Sequence, residues 1–311
     1  MTQMTPDLYK AILSMDAYNR GYGASVNLTG ARIGNASIII DSSDRSLNFD
    51  DQTIGFYGIA YQIKDDNGNV TDTVISYRGT DSLFGDVGHF FLNGDVRNGF
   101  DIGAGDATNS PQGNMAIQFY NTIIDEVYGI SADPHSSALN VSLTGHSLGG
   151  GLAGYVADLY VQSGTVFDNM AFEHAASLEY TKASLGILSS EAIGMIYGSE
   201  IPWENSFSGL HAYYVDGEFL GINRVFQDTP TSPLDIGSGV NLGSGYDGLD
   251  AHSMSTLAIL LYADVTAGGV TDWKNAAKYF WPILLSTKEQ LYSVIRVSVR
   301  FTMMRMILER F

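Results

Sequence analysis

The amino-acid sequence predicts an α/β fold with a mostly parallel central sheet flanked by helices. Strand and helix signals alternate through residues 54–165, the pattern that βαβ units produce. A short apolar strand over residues 139–144 runs into a glycine-rich turn, and a helical pattern over 149–162 follows at once. The chain has 311 residues and is 45% hydrophobic, enough to enclose one large core.

The elements follow in order. "MTQMTPDLYKAILSMDAYNRG" reads as an amphipathic helix opened by Pro6, whose fixed φ suits the first helical position. "IGFYGIAYQI" and "VTDTVISYRGT" are rich in β-branched and aromatic residues. They are separated by "KDDNGNV", a hairpin turn around Asn67-Gly68. Over residues 113–128, Ile117, Tyr120, Ile124 and Val127 recur at helical spacing. In "SALNVSLTG", Leu139, Val141 and Leu143 alternate as in a strand. "TVFDNMAF" and "LHAYYVDGEFL" are strand-like, and helical patterns return near 252–264 and 271–285.

Residues 1–285 are therefore expected to form a single domain. Within it, 81–110 is rich in Gly, Asp and Asn without a clear period; so long a loop in a compact domain points to a functional insertion such as a lid. Residues 286–311 carry Lys288, Arg296, Arg300, Arg305 and Arg310 against Glu289 and Glu309. They are read as a basic helical tail packed on the body, with a lipid- or partner-facing segment as the second reading.

Charge and composition narrow the function. A net charge of −18 leaves few cations to pair with phosphates, which excludes nucleic acid as a partner. It also argues against a broadly cationic membrane-binding face. The chain has no cysteine, so disulfides, thiolate zinc sites and Cys catalysis are excluded together. No run of 18 apolar residues occurs, and no transmembrane helix is expected. The N-terminus lacks a basic stretch followed by an apolar one, so secretion without a Sec signal is the first expectation and a cytoplasmic location the alternative.

The segment "SLTGHSLGGGLAGYVADLY", residues 142–160, places Ser147 between glycines where a strand becomes a helix. A nucleophilic serine needs a sharp strand-to-helix turn, a base within reach and donors for the developing oxyanion. Gly145 and Gly149 lack side chains that would clash across such a turn. Among the six histidines, His146 adjoins the serine and is read as structural. His89 and His135 precede the nucleophile, against the Ser, acid, His order of this motif class. His174 and His211 lie in or beside apolar runs. His252, in "GYDGLDAHSMSTLAIL", follows a glycine-rich loop and precedes a helix, and is the expected base.

The acid should stand at a strand end between them, where it fixes the imidazole tautomer and stabilises the imidazolium. "LHAYYVDGEFL" offers Asp216 and Glu218, which spacing alone does not separate. The N–H of Leu148, the residue after the serine, is one oxyanion donor. Thr80 at the end of "ISYRGTD" is the other, with Gly79 allowing close approach. Arg78 is expected to make a structural ion pair behind that loop.

Taken together, "YRGTD", "LTGHSLGGGLA", "YYVDGEFL" and "DAHSMSTL" occur in the order seen in class 3 lipases and their bacterial lipase and phospholipase A1 relatives, which residues 55–265 resemble. The resemblance implies an α/β-hydrolase fold, a Ser–His–acid triad and a lid between the oxyanion strand and the next helix, here 81–110. The family's acid stands before two apolar residues; "GEFL" fits that pattern and favours Glu218, although the usual residue is Asp, which keeps Asp216 as the alternative. The implied activity is serine ester hydrolysis of lipids through an acyl-serine intermediate, with phospholipase A1 action or a non-catalytic hydrolase-like binding module as alternatives. Leu83, Phe84, Phe90, Phe91 and Leu92 would give the lid an apolar face for a lipid–water interface. No cofactor is required. A structural calcium ion is the one option, and neither "DIGAGD" nor "GSGYDGLD" completes a binding loop. The calcium-binding nonapeptide repeats of some bacterial relatives are absent.

Overall fold

A computed structural model describes residues 5–22, 24, 30–44, 55–80, 110–172, 175, 176, 209–214, 220, 234, 235, 254, 257, 258 and 261. Helix α1 spans Pro6–Ala17. The Thr5 side chain accepts a hydrogen bond from the Leu8 N–H, Pro6 occupies the first turn, and Asp7 adds a carboxylate there. Strands β1 (Arg32–Ile33), β2 (Ala36–Asp41), β3 (Gly58–Lys64) and β4 (Val70–Tyr77) follow. The β3–β4 hairpin turns at Asp65–Asn69: Gly68 adopts φ 86°, and the Asp65 carboxylate accepts the N–H groups of Asn67 and Asn69. Helix α2 spans Pro111–Tyr128, opened by Ser110 and Pro111 and ended by Gly129 at φ 95°.

Strand β5 (Val141–His146), helix α3 (Leu148–Tyr160) and strands β6 (Ser163–Phe167), β7 (Leu210–Tyr214) and β8 (Leu234–Asp235) complete the described elements. These strands form one eight-stranded sheet in sequence order. Pairing is antiparallel from β1 to β4 and parallel from β4 to β8. The fold is α/β, and the expected parallel character holds only from β4 onward. Hairpin turns connect β1 to β2 and β3 to β4, whereas helical crossovers separate β4, β5 and β6.

Both faces of the sheet are covered. Right-handed crossovers in a sheet that advances one strand at a time put their helices on the same side. Accordingly α2 and α3 pack with Ala60, Ile75, Tyr77, Leu143, Val166 and Leu210 in one core. The alternate side chains Ile59, Tyr61, Val74, Phe167 and Tyr213 face the opposite core, against α1 and residues Met254, Leu257, Ala258 and Leu261. These last four residues are helical and buried, and their spacing is that of one helix face, as the pattern near 252–264 predicted.

Helix α1 is also held by polar contacts at both ends. The Asp7 carboxylate accepts hydrogen bonds from Thr165 on β6 (2.7 Å) and Tyr213 on β7 (2.8 Å). Near the other end, Asp16 pairs with Arg20 and accepts the Tyr61 hydroxyl of β3 at 2.8 Å. The expected basic tail, 286–311, lies outside the described residues.

Candidate active site

The C-terminal ends of β4, β5 and β6 converge on Ser147. Strand β5 begins two residues later than expected and continues through His146, because Gly145 still pairs with Tyr77 and Val166, and His146 with Phe167. Ser147 then turns the chain sharply into α3 with φ 58° and ψ −125°, a backbone conformation unfavourable for a residue with a Cβ. Three backbone hydrogen bonds fix this turn. The Ser147 N–H donates to the Phe167 carbonyl at 3.0 Å, and the Ser147 carbonyl accepts from Gly151 at 3.1 Å and Met170 at 3.0 Å. The residue is buried, 4% exposed, so its conformation is set by structure on every side.

The flanking glycines are required by close approach. A Cβ at Gly145 would lie 2.2 Å from the Gly149 carbonyl oxygen, and a Cβ at Gly149 would lie 2.1 Å from that of Tyr77. The first turn of α3 thus sits directly on the end of β4. Leu148 is the first residue of α3, where N–H groups have no carbonyl inside the helix and the helix dipole is positive.

Beyond Tyr77, Arg78, Gly79 and Thr80 leave β4 without regular secondary structure and are all buried. A Cβ at Gly79 would come within 2.5 Å of the His146 carbonyl oxygen and 3.2 Å of the Ser147 Cβ. This segment therefore runs alongside the serine. Arg78 anchors it from behind. Its guanidinium donates to the carbonyls of Arg20 (3.2 Å) and Tyr22 (2.6 Å) and lies over the rings of Tyr22 and Tyr57. Carbonyls and ring faces supply these contacts. Burial pushes the Tyr57 phenol well above its ordinary pKa, partly opposed by the Arg78 charge.

His146 is built into this frame. Its Nδ1 lies 2.9 Å from the Tyr18 hydroxyl, and its Nε2 lies 3.9 Å from an Asp168 carboxylate oxygen. Both ring nitrogens face partners inside the protein, which suits the structural role expected for it. Asp168, fully buried, adopts φ 40° directly after β6, and its N–H donates to the Tyr213 carbonyl at 2.8 Å.

The model of the Tle-like phospholipase domain, a phospholipase-like family, matches residues 9–263. The chain belongs to this family. No curated protein matches it. The Tle-like phospholipase domain takes in most of α1, the whole described sheet and the helix face at 254–261, and it makes the chain a lipid-hydrolysing phospholipase or lipase. Among the described residues no helix is long and apolar enough to cross a membrane.

Of the residues singled out in the sequence, the structure brings Ser147, Leu148 and Thr80 to one end of the parallel strands. His252, Glu218 and Asp216 lie outside the described residues, as do His89, His174, residues 81–109 of the expected lid, and the "DIGAGD" and "GSGYDGLD" loops. His135 lies 4.9 Å from the Tyr160 ring, and the His211 side chain is 56% exposed beside Asp7. Tyr18 and Asp168 went unnoticed in the sequence. Tyr18 is 128 positions from the histidine it contacts, and no local pattern marks it.

Proposed function

We propose that this Tle-like phospholipase is a serine ester hydrolase that cleaves carboxylic esters of glycerophospholipids through an acyl-serine intermediate. The observation that carries this reading is the Ser147 turn: a non-glycine residue held at φ 58° between a parallel strand and the N-terminus of a helix. Such strain persists where a side chain must project from a tight turn, and a strand-to-helix elbow aims a serine Oγ out of the sheet. The family match supplies the lipid ester, and the motif order supports kinship with class 3 lipases and the α/β-hydrolase fold.

In the proposed cycle, the Ser147 Oγ attacks the acyl carbonyl while His252 takes its proton. The oxyanion is held by the Leu148 N–H and by the backbone N–H and hydroxyl of Thr80. Collapse expels the alcohol, which receives the proton from His252 and leaves the acyl group on Ser147. Water, deprotonated by His252, attacks the acyl carbon; the fatty acid leaves and the proton returns to Ser147. Glu218 holds the His252 tautomer and stabilises the imidazolium, and Asp216 is its alternative. No cofactor enters this cycle.

A fluorophosphonate probe tests the assignment. It should add one phosphonyl group, located by peptide mass spectrometry on Ser147, and Ser147→Ala should take up none. Labelling elsewhere would overturn the proposal, and failure to label would favour a non-catalytic module. Of Glu218→Gln and Asp216→Asn, the variant with the larger fall in turnover names the acid. Rates on phosphatidylcholine, triolein and tributyrin separate the phospholipase reading from lipase and short-chain esterase readings; the reading expects phosphatidylcholine to be preferred.

A further inference from the structure

The Tyr18 hydroxyl occupies the junction of three segments of the site. It lies 2.9 Å from His146 Nδ1 and 3.4 Å from the His146 carbonyl oxygen, and only 2.2 Å from the position a Cβ would take at Gly79. It therefore contacts the residue before Ser147 and packs on the residue before Thr80. We infer that Tyr18 is a positioning residue of the reaction, its hydroxyl holding the Gly79–Thr80 backbone and the His146–Ser147 peptide in register. The inference rests on the reading of Ser147 as nucleophile.

The Tyr18 hydroxyl donates to the His146 carbonyl at 3.4 Å and is paired with Nδ1 at 2.9 Å. On the far side of the ring, Nε2 faces the Asp168 carboxylate at 3.9 Å. The ring thus bridges α1, through Tyr18, to the turn after β6, through Asp168. The His146–Ser147 peptide is meanwhile fixed on its other side, where the Ser147 N–H donates to the Phe167 carbonyl.

Tyr18 itself is well anchored. It is the C-terminal cap of α1, and that helix is tied to β6 and β7 through Asp7 and to β3 through Asp16. Its ring meets the His146 ring edge-on, 5.7 Å between centroids. A fixed helix end thus places a hydroxyl between the two strand ends whose spacing sets the distance from nucleophile to oxyanion donor. Loss of that hydroxyl should leave substrate binding intact and misplace the groups that act in the transition state.

The test is Tyr18→Phe, which keeps the ring and removes the oxygen. Rates on p-nitrophenyl butyrate and phosphatidylcholine micelles are expressed per site titrated by the fluorophosphonate probe, so that only folded, competent protein is counted. We expect kcat to fall between about tenfold and a hundredfold, with KM within about twofold. Because part of the hydroxyl's hold runs through the imidazole, Tyr18→Phe should cost less kcat in a His146→Leu background than in the wild type. His146→Asn, which keeps a hydrogen-bonding group near the Nδ1 position, should retain more activity than His146→Leu. An unchanged kcat in Tyr18→Phe, an effect on KM alone, an undiminished fall in the His146→Leu background, or equal losses in His146→Asn and His146→Leu would each overturn the inference. Ser147→Ala separates the two levels. If it is inactive while Tyr18→Phe is normal, only the positioning role fails; if it keeps the wild-type rate, the nucleophile assignment fails first.

Discussion

Replacing Ser147 by glycine should make the protein more stable while destroying its activity. The serine sits at φ 58° and ψ −125°, where a Cβ is crowded by the backbone. Strain of this kind costs about 1–3 kcal/mol, and glycine relieves it. Glycine also has more freedom in the unfolded chain, which offsets about 0.4–1 kcal/mol of that gain. The difference is a net stabilisation of about 1–2 kcal/mol. Ser147→Ala is the proper reference, because it loses the same hydroxyl and keeps the Cβ. For a domain of this size, each kcal/mol shifts Tm by about 2–4 °C, so Ser147→Gly should melt about 2–8 °C above Ser147→Ala. Urea unfolding and calorimetry on the two variants measure the gap, with the urea slope checked for constancy. Equal stability, or a less stable glycine variant, would refute the claim that the turn is strained. A strained turn is what distinguishes this position from an ordinary glycine loop.

Gly149→Ala should do the reverse. Its Cβ would lie 2.1 Å from the Tyr77 carbonyl oxygen, about 1.3 Å inside the 3.4 Å limit of ordinary contact, and backbone must move to admit it. A loss of about 3 kcal/mol in urea unfolding is expected, together with reduced hydrolysis as α3 is lifted from β4; wild-type stability would show that the helix does not rest on the strand as described. The buried tyrosines should also set an alkaline limit. Burial raises the phenols of Tyr61 and Tyr77 well above the ordinary value of 10.0. Their folded pKa exceeds the unfolded one, so the contribution is full below about pH 10 and is lost as pH rises beyond it. Tyrosinate absorbance near 295 nm should therefore appear in two phases, the later one coinciding with loss of the far-ultraviolet helix signal. A single smooth titration with the fold intact would contradict this.

Much of the fold was legible because its signals are local. Pro6 announces α1, since a fixed φ acts within one turn, and the spacing of Ile117, Tyr120, Ile124 and Val127 announces α2. Asn67-Gly68 marks the hairpin for the same reason. Strands β1 and β2 leave no such signal: β1 has two residues, and β2 is half-buried along most of its length with a register shift between Ile38 and Ile40, so no alternation survives. The end of β5 was placed too early because glycine and histidine read as a turn, although long-range pairing to β4 and β6 keeps them in the strand.

The serine and its glycines were legible because the elbow is built from contiguous residues. The Tyr18–His146–Asp168 array was not, since it joins α1, β5 and the exit of β6 and exists only once the sheet has assembled. Arg78 shows the intermediate case. Its position before Gly79 is visible in the sequence, but the carbonyls of Arg20 and Tyr22 and the rings of Tyr22 and Tyr57 that it meets lie far along the chain and carry no local pattern.

If Ser147 is the nucleophile of a phospholipid hydrolase, fatty-acid release from phosphatidylcholine micelles by the wild-type chain and by Ser147→Ala at equal folded concentration must differ. Removal of such a nucleophile lowers turnover by about 10⁶-fold in a comparable hydrolase, so release by Ser147→Ala should fall to the level of the enzyme-free control. Release at the wild-type rate by Ser147→Ala would contradict the account.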